Sequence, residues 1–323
     1  MSSIPATIDT LDTGRRSRLD ARHDRIFRGV LRFCALLVLA ALLGAALSTL
    51  WGGREILFGQ GLHFLTSTAW NPVEDDYGAL APVFGTLVTS LVAIVLAVPV
   101  SFGVAMFLTE IAPNWLRAPA STAVELLAAI PSIIYGMWGL FVFVPFMARI
   151  EPALTDTLGR IPLLGKLFQG PPLGLGLLTA GIVLAVMILP FITSVMREVF
   201  LTVPTRLKES AYALGSTRWE VLWDIVLPYT RSAVIGGIIL GLGRALGETM
   251  AVTFVLGNSY NITSSLLMPG TSISSSIANE FNEAVGLHRS ALVALGFLLF
   301  VVTFIVLLIA RLMLRQLARR EGR

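Results

Sequence analysis

"VPTRLKESAYALGSTRWEVLWDIVLPYTRSA", residues 203–233, is the stretch from which the rest of the chain can be read. Pro204 suits the first turn of a helix, where a backbone N–H has no partner anyway. Gly215 supplies a stop, because glycine enters the conformation that closes a helix C-terminus. Thr217-x-x-Glu220 fits a capping box and starts a second helix. Trp219, Leu222, Trp223 and Val226 follow at i, i+3, i+4 and i+7, which predicts a single oily stripe. Pro228 then predicts a break before the next segment. Small residues at Ser210, Ala211 and Ala213 leave a face that another surface can approach. The expectation is a helix–glycine–helix unit lying on a membrane surface. Periodicity alone weighs a docking site and a plain amphipathic connector equally.

The flanking sequence supplies the membrane. Of 323 residues, 55% are hydrophobic and 14% charged, where a soluble domain carries about 25% charged. Mean hydropathy is +0.80. Six apolar stretches reach the roughly 20 residues a bilayer requires. They are read near 30–50, 81–108, 125–147, 173–193, 233–256 and 291–313. Each must be helical, since lipid offers no partner to an open backbone amide. Pro99, Pro131, Pro145 and Pro190 fall in or near these spans and are read as kinks. The fold class expected is all-α integral membrane, with six transmembrane helices in residues 30–323. Residues 1–29 are expected to form a disordered tail.

A cleaved secretory signal is the alternative for the first span, but the polar leader of about 30 residues is long for that role. Cleavage would also leave five spans and put the two termini on opposite sides.

Lysines and arginines set the orientation. Seven lie in the N-terminal segment (Arg15 to Arg32), one in the second connection (Arg117), five in the fourth (Arg197 to Arg231) and five in the C-terminal tail (Arg311 to Arg323). The remaining three connections share five, namely Arg54, Arg149, Arg160, Lys166 and Arg289. Both termini and the loop at 203–231 are therefore expected on the cytoplasmic side. The net charge of +4 is a topology signal and not a nucleic-acid footprint.

The outer connections carry less chemistry. Glu74, Asp75 and Asp76 read as a solvated loop in preference to a cation site. "GRIPLLGKLFQGPPLG" resembles a nucleotide loop only superficially: five residues separate Gly159 from Gly165, and Leu167 stands where a Mg²⁺-binding hydroxyl belongs. "SYNITSSLLMPGTSISSSIANEFNEA" reads as a short re-entrant or surface structure, and Asn261-Ile-Thr263 is a glycosylation sequon. Cys34 is alone and lies in an apolar run. His23, His63 and His288 lack metal-ligand spacing. No nucleophile–base pair or metal cluster supports an enzyme, and neither a cofactor nor a metal is expected.

Within the fifth span, "GLGRALGETMAV" (241–252) places Arg244 and Glu248 four residues apart, on one helical face if the helix is continuous. A charge at mid-bilayer costs about 2.5–3.5 kcal/mol and usually faces protein or a water-filled path. One reading is an intrahelical ion pair that neutralises itself. The other is that Arg244 meets an anionic substrate, which its planar guanidinium suits, and that Glu248 holds it between cycles. Gly237/Gly241 and Gly243/Gly247 have the small-xxx-small spacing of close helix packing.

The loop resembles the EAA loop of ABC-importer permeases, whose pattern is E-A-A-x3-G-x9-I-x-L-P. Glu209, Ser210, Ala211, Gly215, Ile225, Leu227 and Pro228 fall at its seven positions, with serine replacing the first alanine. The resemblance implies a coupling helix that seats in an ATPase subunit, and a type I ABC importer permease fold. "GALAPVFGTLVTSLVAIVLAVPVSFGVAMFLTEIAP" (78–113), "ELLAAIPSIIYGMWGLFVFVPF" (125–146) and 227–258 further resemble phosphate-importer permeases of the PstC type. The function this implies is import of inorganic phosphate across the bacterial inner membrane. The partners implied are a second, PstA-like permease, two PstB-like ATPase subunits, a PstS-like periplasmic phosphate-binding protein, phosphate and membrane lipid. ATP hydrolysis would belong to those partners. A permease for sulfate or molybdate, or an ATP-independent anion transporter, stands as the alternative.

Overall fold

A computed structural model describes residues 10–162 and 165–320, and its contacts divide the chain after Trp51. Up to that point the chain is α1 (Thr10–Gly52), one helix of 43 residues. Its apolar part, His23–Gly52, is long enough to span a bilayer. The stretch expected as a loose tail is thus helical from Thr10 onward, while residues 1–9 lie outside the described residues. Asp24 and Arg28 form an i,i+4 ion pair at its polar end.

The second unit begins with α2 (Arg54–Gly59), α3 (Leu62–Thr66) and a two-residue antiparallel hairpin, β1 (Trp70–Asn71) with β2 (Asp76–Tyr77). There follow α4 (Leu80–Met106), α5 (Asn114–Ala128), α6 (Ser132–Trp138), α7 (Val144–Thr157) and α8 (Leu177–Leu201). Then come α9 (Thr205–Ala213), α10 (Arg218–Glu220), α11 (Leu227–Leu246), α12 (Met250–Leu256), α13 (Ile273–Glu280) and α14 (Gly286–Arg320). Five further segments are long and apolar enough to cross a membrane: Leu80–Ile111, Ser132–Arg160, Leu177–Leu201, Arg218–Leu246 and Gly286–Leu314. With α1 these make the six expected, but three are displaced. The third starts beyond Pro131, the fourth extends to Leu201, and the fifth begins at Arg218 and stops at Leu246.

Proline explains much of the displacement. Three π-helical turns, Phe107–Ile111, Gly139–Phe143 and Val221–Val226, each end two residues before a proline: Pro113, Pro145 and Pro228. Proline has no N–H for the i−4 carbonyl, and its ring clashes with that carbonyl. Before Pro145 and Pro228 a widened turn moves the carbonyl aside, so the helix passes through; before Pro113 the helix stops, with Ala112 leaving it at ψ 136. Pro228 therefore does not break the chain: α10, the π turn and α11 make one continuous helical run. Pro131 does end a helix, standing as the cap between α5 and α6.

α8 is the most buried span. It packs along α4, and α11 packs against both of them. Small residues allow the close approach, with Ala93 and Ala97 of α4 and Ala180 and Ala185 of α8 all buried. A Cβ on Gly237 would stand 2.8 Å from Val195, and one on Gly241 would stand 2.7 Å from Ile192. The Gly237/Gly241 pair is thus the α8 contact that its spacing predicts. The Gly243/Gly247 pair is not. Gly243 faces Leu307 at an ordinary 3.6 Å, and Gly247 meets only its own helix. A second core at the far end gathers Ile56, Phe64, Tyr77, Ile273, Leu292 and Leu295. Elsewhere Leu91, Phe141, Leu240 and Phe304 stay exposed, which suits hydrocarbon or another apolar helix and not water.

Candidate functional site

The loop forms as its sequence dictates. α9 closes in a Schellman motif: Ser216 N donates to Ala211 O at 3.1 Å and Gly215 N to Tyr212 O at 3.0 Å. Gly215 takes φ +90, with nothing within 4 Å of an added Cβ. Only backbone conformation demands glycine there. The chain restarts in the capping box, where Thr217 N donates to Glu220 Oε2 at 2.7 Å and Glu220 N to Thr217 Oγ1 at 3.3 Å.

The exposed face differs from the one expected. Ala211 is buried against the chain's own core, while Glu209, Ser210 and Ala213 point outward beside Leu214, which is 88% exposed. The oily stripe is also split. Leu222 and Val226 are buried with Val221, but Trp219 and Trp223 stay exposed and pack on each other at 5.4 Å. The π turn causes this, because an extra residue in the turn rotates the apolar positions off a 3.6-residue period. Ile225 and Leu227 are half-buried, and Pro228 is exposed at the start of α11. From behind, Lys208 Nζ reaches Glu110 Oε1 at 2.5 Å, tying α9 to the π turn that ends the second span. Sequence spacing gave no sign of this pair, whose members are 98 residues apart.

Arg244 and Glu248 do not lie on one helix. α11 ends at Leu246, Gly247 caps it at φ −92, ψ 1, and α12 starts at Met250. Glu248 Oε1 instead accepts the Ala251 N–H at 3.2 Å, placing its carboxylate at the start of α12. Arg244 occupies the last turn of α11, its guanidinium 5.6 Å from the Phe191 ring of α8 and close enough to act electrostatically on Tyr135 of α6. Both charges thus stand where helix dipoles favour them, a cation at a C-terminus and an anion at an N-terminus. No Arg244–carboxylate ion pair occurs among the described residues. The exposed guanidinium, without a carboxylate partner among the described residues, remains able to take an anion from outside the chain.

At the opposite end is a constellation that sequence reasoning missed. Glu280 accepts Trp70 Nε1 at 2.7 Å and Tyr260 OH at 2.6 Å, and its Oε2 lies 2.9 Å from His288 Nε2. Trp70 stacks on Tyr260 and Tyr77 on His288, at 4.7 and 5.4 Å. Burial and the nearby Asp75 carboxylate push the Tyr77 hydroxyl up to about 12. Burial and the Glu280 hydrogen bond raise that of Tyr260 as well. The group pins the hairpin and the segment before α13 to the head of α14, and so acts as a structural clamp.

Comparison with known proteins fits this geometry. The family described as binding-protein-dependent transport system inner membrane component matches residues 97–320. The phosphate transport system permease protein PstC of Xylella fastidiosa (strain 9a5c) is 64% identical over 323 residues, all of both chains. Its counterpart in Pasteurella multocida (strain Pm70) is 56% identical, covering 92% of this chain and 93% of its own. Among solved structures, a bacterial alginate ABC transporter in complex with an alginate pentasaccharide-bound periplasmic protein aligns with TM-score 0.62. It is 19% identical and covers 92% of this chain and 96% of that one. At that identity the likeness speaks for the fold alone.

Proposed function

This chain belongs to the family of binding-protein-dependent transport system inner membrane components, and from that premise we propose that it is a membrane subunit of an ABC importer that passes inorganic phosphate inward. One observation carries the mechanism. The run Arg218–Leu246 is continuous, 29 residues and roughly 40 Å at 1.5 Å per residue, with the exposed turn at Glu209–Gly215 before one end and Arg244 at the other. A rod of that kind converts a push on α9 into a displacement of Arg244.

In this reading both termini and α9 face the cytoplasm, and the membrane is the inner membrane. Glu209, Ser210, Ala213 and Leu214 seat in an ATPase subunit, while Ala211, which is buried, and Gly215, which is exposed, shape the turn that presents them. Ile225, Leu227 and Pro228 carry the motion into α11. A second permease completes the pore, a periplasmic binding protein delivers phosphate, and two ATPase subunits hydrolyse ATP. Arg244 offers a planar, permanently charged donor to a tetrahedral oxyanion. Glu248, engaged in capping α12, is not Arg244's resting partner. Its role is to fix the break that leaves the arginine at a helix end. The curated relatives' role in phosphate transport supports phosphate over sulfate or molybdate.

The test is uptake of radiolabelled phosphate by cells carrying the whole complex, with a large excess of unlabelled sulfate or molybdate as competitor. Only unlabelled phosphate is expected to compete. Competition by sulfate would transfer the reading to another oxyanion, and uptake without the ATPase subunits would remove it.

A further inference from the structure

A cavity of about 570 Å³ lies behind α9, lined by Glu110, Arg117, Thr205, Lys208 and Arg218 among others. We propose that it is a second anion site, a receptor for a phosphate group held by Arg117, Lys208 and Arg218, separate from the Arg244 path. The proposal rests on the reading above for placing this face in the cytoplasm.

Three cations and one carboxylate line the cavity, and they differ in engagement. Lys208 is neutralised by Glu110 at 2.5 Å. Arg117 uses only Nε, donating to Ala112 O at 2.7 Å, which leaves its terminal nitrogens without a hydrogen bond or ion pair among the described residues. Arg218 makes no side-chain hydrogen bond or ion pair among them. Two guanidinium groups with open donors in one concavity therefore have no anion of their own, which fits the bidentate geometry of a phosphate oxyanion. Thr205 opens α9 at the same wall, adding the positive end of a nine-residue helix. Glu110 opposes an incoming anion and competes with it for Lys208. The ligand chemistry is a phosphate group, supplied either by inorganic phosphate on the product side or by a lipid headgroup at the bilayer edge. Either would bridge α5, α9 and α10, and so restrain the helix proposed to seat in the ATPase.

To test this, the membrane complex of both permeases and both ATPase subunits is purified in neutral detergent without the periplasmic binding protein and equilibrated with radiolabelled inorganic phosphate without ATP. Wild type, Arg244→Gln, the double variant Arg117→Gln/Arg218→Gln, and Glu110→Gln are compared. Saturable binding is expected to persist in Arg244→Gln, to weaken at least tenfold in the double variant and to tighten in Glu110→Gln. Misfolding cannot produce that gain. In a second arm, nanodiscs of phosphatidylcholine carry added phosphatidylglycerol. Retention of that lipid through delipidation by wild type but not by the double variant, with no inorganic phosphate bound, assigns the site to a headgroup. Equal binding of both probes by wild type and double variant overturns the site. Wild-type uptake is measured alongside: if it is intact while the double variant binds normally, only this site fails and the transport reading stands.

Discussion

Arg244 stands in the last turn of α11 and Glu248 accepts the Ala251 N–H at the start of α12, with Gly247 as the cap between them, so two charges spaced for an ion pair serve two different helix termini. The arrangement makes them non-interchangeable. Combining Arg244→Glu with Glu248→Arg sets an anion at the C-terminus of α11 and a cation at the N-terminus of α12. Each misplaced charge costs about 0.3–1 kcal/mol against the dipole. The exchange is expected to leave phosphate uptake absent and to lower the melting temperature of the purified complex. Restored uptake would show that the two residues act as a pair after all.

Gly215 gives a cleaner backbone test. Nothing crowds its missing Cβ, so Gly215→Ala changes only the conformational cost of φ +90, about 1–2 kcal/mol. Hydrogen exchange over 210–220 should quicken while the complex still assembles, and Gly215→Asn should be milder because asparagine tolerates that region. Unchanged exchange in the alanine variant would count against the turn as the rigid element of the loop.

The exposed face of α9 makes a separable prediction. Leu214→Asp places a charge on an outward apolar side chain that touches little of its own chain, so the protein should fold and insert. Association with the ATPase subunits should fall about tenfold or more, measured by co-purification. Retained association would move the docking surface elsewhere.

Close packing of α11 on α8 predicts sensitivity at the contacting glycines alone. Gly241→Leu must displace Ile192 and should cost about 1–3 kcal/mol, with overpacking as the cause. Gly243→Ala meets Leu307 at an ordinary contact distance and should be near neutral. Thermal unfolding of the two variants in detergent distinguishes them, and equal sensitivity would argue against the described packing.

The clamp around Glu280 yields a pH prediction. Tyr77 is raised in the folded chain to about 12, against about 10 in an unfolded one. A raised folded value means its stabilisation is complete below about pH 10 and is lost as pH rises towards 12. Ultraviolet titration should therefore show Tyr77 ionising late, as pH rises towards 12, and Glu280→Gln, which removes one of the charges that raise it, should bring that step down. A single step near 10 for every tyrosine would mean that the clamp is open.

Much of this was legible because a bilayer restricts a chain to so few solutions. Apolar length alone located six spans. The capping box and the Gly215 stop were readable because capping is chemistry within a few residues. What escaped had three causes. The π turns before Pro145 and Pro228 depend on how a widened turn avoids a ring clash, which hydropathy does not register. Missing them put a break at Pro228 and placed Trp219 on the buried stripe; the fifth span was read past Gly247 for a separate reason, because hydropathy does not register the turn that ends α11 there. The other misses were contacts between distant residues: Lys208 with Glu110, Arg244 with Phe191, and Glu280 with Trp70, Tyr260 and His288. No local pattern marks such partners.

The central claim is that Arg244 serves the anion while the α9 turn serves the ATPase. It is tested most directly by measuring phosphate uptake and ATP hydrolysis together in reconstituted complex carrying Arg244→Gln. The account predicts that uptake falls at least tenfold while phosphate-loaded binding protein still stimulates ATP hydrolysis, because the coupling surface is intact. Normal uptake in Arg244→Gln would contradict it.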